Sequence, residues 1–160
     1  MIPLTYHPLD TASVRALRTG GPDAHGLPAE CAVPDGPGNP CRHCLRNIPK
    51  RAPMLILAWR PFPTLQPYAE CGPIFLCGED CTAWTGPGVP PILQSSPDYL
   101  LKGYGADFRI VYGTGRIVGQ QDLNAHASEL LADPAIRFVD VRSARNNCFQ
   151  LRITRARSHD

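Results

Sequence analysis

The spacing of apolar positions changes along this chain, and each spacing predicts an element. Residues 54–59, Met-Leu-Ile-Leu-Ala-Trp, form an unbroken apolar run of strand length, which predicts a strand buried on both faces. Residues 73–76, Pro-Ile-Phe-Leu, predict a second strand that leads directly into Cys77. An antiparallel pairing of the two would set the end of the second beside the start of the first. Val14 and Leu17 lie three apart after Asp10 and before Gly20-Gly21, which predicts a short capped helix over Thr11–Arg18. Leu123, Ala127, Leu130 and Leu131 share one face of a helix predicted over residues 121–132 and stopped by Asp133-Pro134. Residues 107–112 and 116–118 flank Gly113-Thr114-Gly115 and predict a hairpin, and residues 136–142 and 148–153 predict a closing hairpin around residues 143–147. Together these elements predict an α+β fold, a single domain over residues 1–160 with a mixed or antiparallel sheet, two or three short helices and long Pro/Gly-rich loops.

Punctuation refines this outline. The 18 prolines and 14 glycines fall mostly in the first hundred residues and exclude long helices there. Residues 19–40 form an extended loop of the kind that is functional or disordered, and we expect it to be ordered by tethering to the cysteine pair that follows. With 160 residues, 43% of them hydrophobic, the chain can bury one core. Its longest apolar run is far below the roughly 20 residues of a membrane span, and no basic stretch followed by an apolar run opens it. A soluble cytoplasmic protein with no membrane partner is expected. The net charge of +2 gives no strong field for steering toward a polyanion. Nucleic acid is therefore not an expected partner, although Arg42, Arg46, Arg51 and Arg60 lie near Trp59, Phe62 and Tyr68.

The cysteines carry the candidate chemistry. Seven are present, and four of them form two close pairs, Cys41/Cys44 and Cys77/Cys81. Two such pairs supply the closed four-thiolate shell that structural zinc takes, so Cys41, Cys44, Cys77 and Cys81 are the expected ligands. The second pair has three intervening residues rather than two, and the alternatives are packed thiols, an iron–sulfur cluster or a redox dithiol. Pro49 and Pro53 cut short any helix after Cys44, which removes the feature that activates a thioredoxin-like dithiol. Gly78 is expected to free the turn between Cys77 and Cys81. His43 is expected to be a solvated loop residue, the alternative being a role at the metal.

A second constellation, Arg142-Ser-Ala-Arg145-Asn-Asn147-Cys148, places two guanidiniums near one thiol. Cys148 could act as a nucleophile, with Arg142, Arg145 and Asn147 gripping an anionic small molecule or an anionic group on a protein partner. A base could come from His7, His25 or His126, but nothing in the sequence places any of them nearby. The alternative is a tight turn through Asn146-Asn147 with Cys148 packed inward. Asp140, inside an apolar strand, is expected to face solvent, the alternative being a buried pair with Arg142 or Arg109. Gly113-Thr114-Gly115-Arg116 lacks the helix and lysine of a phosphate loop.

Gly20-Gly-Pro-Asp23, Asn39-Pro-Cys-Arg-His-Cys-Leu45, Arg60-Pro-Phe-Pro63, Pro67-Tyr-Ala-Glu70, Gly72-Pro-Ile-Phe75, Tyr112-Gly-Thr-Gly115 and Val141-Arg-Ser-Ala-Arg-Asn-Asn-Cys-Phe149 resemble the bacterial family catalogued as domain of unknown function 1203. The resemblance implies a single-domain cytosolic protein and no particular activity. It also implies that Cys41, Cys44, Cys81 and Cys148 belong to the family's motif blocks. The position of Cys77 is often histidine in similar sequences, an exchange that suits a ligand better than a packing residue. Cys31 and Cys71 lie outside the motifs and are not counted as ligands. The functional expectation is a zinc-binding accessory or binding module. The competing expectation is a small enzyme that uses Cys148, or a metal held by only three protein ligands.

Overall fold

The computed structural model describes residues 1–157. In chain order the elements are β1 (Leu4–His7), α1 (Thr11–Arg18), β2 (Glu30–Ala32), β3 (Met54–Trp59), β4 (Gly72–Cys77), β5 (Asp98–Tyr104), β6 (Arg116–Gly119), α2 (Leu123–Ala132), β7 (Phe138–Ser143) and β8 (Phe149–Arg155). Among the described residues this is an α+β fold of two α-helices and eight strands in two sheets. Contacts within the chain divide it into two units, one of Met1–His7 with Ser96–Asp160 and one of Pro8–Ser95. No helix among the described residues is long and apolar enough to cross a membrane.

The first unit is a five-stranded antiparallel sheet in the order β1-β8-β7-β5-β6. α2 packs against β5, β7 and β8, and its buried Leu123, Ala127 and Leu131 meet the apolar face that Val139, Val141, Leu151 and Ile153 belong to. The helix starts later than its periodicity predicts, because residues Gln120–Asp122 form a 3₁₀ turn ahead of it. Leu130 is half-buried, while Ser128 is buried, its hydroxyl accepting the Ile2 N–H at 2.8 Å. The β7–β8 hairpin follows the expectation closely.

The expected hairpin of residues 107–112 with 116–118 does not form. β6 pairs instead with β5, whose Leu101 reaches across to Arg116, and residues 105–115 are the loop between them. Phe108 adopts φ 61, a left-handed conformation incompatible with a strand, and the Gly105 N–H donates to the Arg109 carbonyl to close the turn. Thr114 is buried, its hydroxyl accepting the Gly103 N–H at 2.9 Å. Local hydrogen bonds thus outweigh the alternating Phe108, Ile110, Tyr112 pattern.

Asp140 corrects a second expectation, being wholly buried rather than facing solvent. Its partner is Arg152, directly opposite on β8, with Nε to Oδ1 at 2.7 Å and Nη2 to Oδ2 at 3.0 Å. The same guanidinium lies 3.7 Å from the centroid of Phe138. Burial pushes the Asp140 carboxyl up, and the bond and charge of Arg152 draw it back down.

The second unit is built on the antiparallel sheet β2-β3-β4. Its β3–β4 register sets Met54 opposite Cys77, as the apolar runs predict. α1 also has its predicted bounds: Asp10 accepts the Ser13 N–H at 2.8 Å and the Ser13 hydroxyl at 2.7 Å, and Val14 and Leu17 are buried. Part of the loop of residues 19–40 is tied to β3. Its Glu30–Ala32 segment is a strand on β3, and Asp23 accepts the Ala58 N–H at 2.9 Å while Ala24 donates to the Ala58 carbonyl at 3.0 Å. The edge of β3 offers backbone groups that need partners and takes up part of this loop, while the loop's end joins the cysteine turn, the Ile48 N–H donating to the Asn39 carbonyl at 2.8 Å.

Two outcomes follow for stability in urea denaturation. Asp140→Ala removes the carboxylate opposite a largely buried guanidinium and is expected to cost about 3 kcal/mol, most of it recovered in the double variant Asp140→Leu/Arg152→Met. Asp10→Ala removes the α1 cap and is expected to cost about 1 kcal/mol near neutrality. The Ser13 bonds hold the Asp10 carboxyl below its ordinary value. Its contribution is therefore complete above about pH 4 and lost as the pH falls through the folded value, so the difference between Asp10→Ala and the parent should close in acid.

Candidate metal centre

Each cysteine pair is brought to the same place by a specific piece of backbone. After Cys41 the chain makes a tight turn: the Leu45 N–H donates to the Cys41 carbonyl at 3.0 Å and the Cys41 N–H to the Arg46 carbonyl at 2.9 Å. The turn requires Leu45 at φ 54, and its fully buried side chain anchors that strained conformation. Cys41 then forms a parallel bridge to Phe75 of β4, with the Arg42 N–H donating to the Phe75 carbonyl at 3.1 Å. This bridge sets the Cys41/Cys44 turn beside the strand end that carries Cys77.

Cys81 arrives by way of Gly78. That glycine has an ordinary φ, so conformational freedom is not its role, contrary to the expectation from sequence. A Cβ there would stand 2.9 Å from the carbonyl carbon of Pro53, and the Gly78 N–H donates to the Pro53 oxygen at 2.8 Å. Close approach to the chain entering β3 is what requires glycine.

The four expected ligands converge. The Sγ atoms of Cys41, Cys44, Cys77 and Cys81 all lie within 4.8 Å of one another, with Cys41–Cys81 and Cys44–Cys77 both at 3.9 Å. A tetrahedron of bonds of about 2.3 Å has edges of about 3.8 Å, so the cluster has the size of a metal's thiolate shell. Cys41 is buried and the other three are half-buried. The electrostatics agree with that size. The Cys41 thiol is held far below its usual range, because the thiols of Cys44 and Cys77 donate to its sulfur. Cys44 is pushed up to about 12 by donating to Cys41, and Cys77 is pushed up further for the same reason. Four sulfurs this close cannot all carry charge by themselves, and a divalent cation among them reverses that constraint.

Two side chains converge on Cys81. His43 is 1% exposed, which corrects its reading as a solvated loop residue. Its Nδ1 lies 3.2 Å from the Cys81 sulfur and its Nε2 is 2.9 Å from the Thr11 hydroxyl. Burial lowers the imidazole's affinity for a proton, favouring the neutral ring. Arg18 donates Nη2 to the Cys81 sulfur at 3.0 Å, Nε to the Cys77 carbonyl at 3.0 Å and Nη1 to Asp80 at 3.3 Å. Sequence reasoning missed Arg18, whose only signal was a basic residue in the last turn of a short helix.

The other candidate residues lie in the first unit. Arg142 donates to the Asn147 carbonyl at 3.0 Å and Arg145 pairs with Asp98 at 2.9 Å. The N–H of half-buried Cys148 donates to the Ser143 hydroxyl at 2.9 Å, its sulfur lies 3.7 Å from the Asn146 carbonyl, and Asn147 takes φ 57. These bonds describe a closed hairpin turn. His7 bonds to Thr154 and His126 faces Glu129. Cys31 and Cys71 are exposed and outside the four-sulfur cluster.

A family model described as "Protein of unknown function (DUF1203)" matches residues 38–155. No curated protein and no solved structure matches the chain.

Gly78→Ala offers a test of the close approach with a definite sign. In an unconstrained segment this change stabilises by about 0.4–1 kcal/mol. Here it is expected to destabilise by about 1–3 kcal/mol and to weaken metal uptake, measured by thermal denaturation and by competition with a chromogenic chelator.

Proposed function

The chain belongs to the DUF1203 family of proteins of unknown function, and we propose that it is a zinc-binding accessory or binding module whose ion is held by Cys41, Cys44, Cys77 and Cys81. The observation that carries this reading is the convergence of four sulfurs, from two turns far apart in sequence, at the spacing of a tetrahedral thiolate shell. Four soft thiolates in that geometry select zinc over the hard oxygen-seeking cations. Zinc also brings no redox chemistry of its own, which suits a role in architecture and binding.

In this role the ion would join three pieces of the second unit: the Cys41–Arg46 turn, the end of β4 and the irregular segment that carries Cys81. The half-buried position of three of the ligands leaves the centre near the surface, where a partner or small anion could reach it. The enzyme reading built on Cys148 is weaker on geometry, since both neighbouring guanidiniums are engaged in the hairpin or with Asp98, and His7 and His126 face Thr154 and Glu129 instead.

Elemental analysis of protein prepared without added metal is expected to find close to one zinc per chain. Thiol titration of that protein is expected to find Cys31, Cys71 and Cys148 reactive and the four ligands masked until a chelator is added. Because the ligands bind as thiolates, zinc should be released as the pH falls, with protons taken up in exchange. All seven cysteines reacting at one rate without chelator would remove the metal reading.

A further inference from the structure

The four sulfurs are not equivalent, and the difference lies in what holds each of them. Cys41 and Cys77 sit on paired backbone, one in a bridge to Phe75 and the other at the end of β4, and Cys44 is fixed by the tight turn. Cys81 lies in a segment with no regular secondary structure. The Cys41 sulfur accepts backbone N–H groups, from Cys77 at 3.3 Å and His43 at 3.5 Å. The Cys81 sulfur instead faces side-chain groups, the Arg18 guanidinium and the His43 ring. Both side chains are at least nine-tenths buried, Arg18 at 10% side-chain exposure and His43 at 1% exposure. A guanidinium donating to one sulfur draws on the lone pairs that would bind a metal and stabilises the same sulfur as a free thiolate, and the His43 Nδ1 adds to this in the tautomer that carries its proton there.

The geometry points to Cys81 as an exchangeable ligand, whose departure from the metal opens a coordination position to a small anionic donor, a carboxylate or a thiolate. This inference rests on the metal reading above. The entry is a groove of about 430 Å³ with Cys81 and His43 in its wall. Thr11 and Thr82 offer hydroxyls along it, Arg15 offers a cation, and Asp80, paired to Arg18, is its acidic member. In the exchange the metal–sulfur bond breaks with its electron pair left on Cys81, and a bond forms from the donor atom's pair to the metal. Nothing is oxidised and no proton need move. Arg18 and His43 are positioning residues that receive the displaced thiolate, and the three other thiolates keep the ion in place.

The test uses the full chain loaded with cobalt(II), whose thiolate charge-transfer absorption reports the number of bound sulfurs, with azide as the anionic probe. Azide is expected to reduce that absorption saturably and to speed alkylation of Cys81 by iodoacetamide, mapped by peptide mass spectrometry, while Cys41, Cys44 and Cys77 stay protected. Arg18→Met is expected to retain cobalt and to weaken the azide response about tenfold. Cys81→Ala is expected to retain cobalt and to bind azide with no further loss of thiolate absorption. An absorption indifferent to azide, equal alkylation of all four ligands, or a folded Cys81→Ala variant unable to hold cobalt would each overturn exchange at Cys81 while leaving the metal centre standing. Failure of the parent protein to take up cobalt overturns the metal reading, and this inference with it.

Discussion

Four sulfur atoms packed to within 4.8 Å of one another form the constraint around which the second unit is arranged. Without a cation, one thiolate can be satisfied there by its neighbours' S–H groups, and each further ionisation meets the charge already present. A divalent ion turns that repulsion into cohesion. The elements that deliver the sulfurs are correspondingly restrained: a buried leucine at φ 54 closes one turn, and a glycine pressed against Pro53 admits the other.

The two units bury polar groups by different means. In the first, Asp140 and Arg152 meet in a bidentate pair across neighbouring strands, and the guanidinium is covered by aromatic rings. Such a pair is satisfied within the chain and asks for no ligand. In the thiol cluster the side chains of Arg18 and His43 reach a single sulfur, that of Cys81, while backbone N–H groups reach Cys41. On the proposed reading, that asymmetry would separate a centre that merely staples the chain from one that also meets a ligand.

Much of this was legible in the sequence. Asp10, Val14, Leu17 and Gly20 bounded α1, and the apolar runs of β3 and β4 gave their pairing, because capping and side-chain burial act over a few residues. The strand β5 was not legible, since Ser95-Ser96-Pro97 before it and Lys102-Gly103 within it interrupt the apolar pattern, and its place between β6 and β7 comes from pairing with both neighbours. The alternation of Phe108, Ile110 and Tyr112 misled for the converse reason: periodicity describes a strand only where a partner accepts its hydrogen bonds, and local turns took them first.

For the candidate centre, the sequence by itself picked out the four candidate donors, because two closely spaced cysteine pairs can chelate only as local turns, and spacing along the chain fixes what a turn can present. That the pairs meet was decided by tertiary structure, through the bridge between Cys41 and Phe75 and the register of Met54 with Cys77. The partners of Cys81 were decided there too. Arg18 lies on a helix 63 residues from that cysteine, and a contact of that separation is set by the packing of whole elements, which no local pattern records.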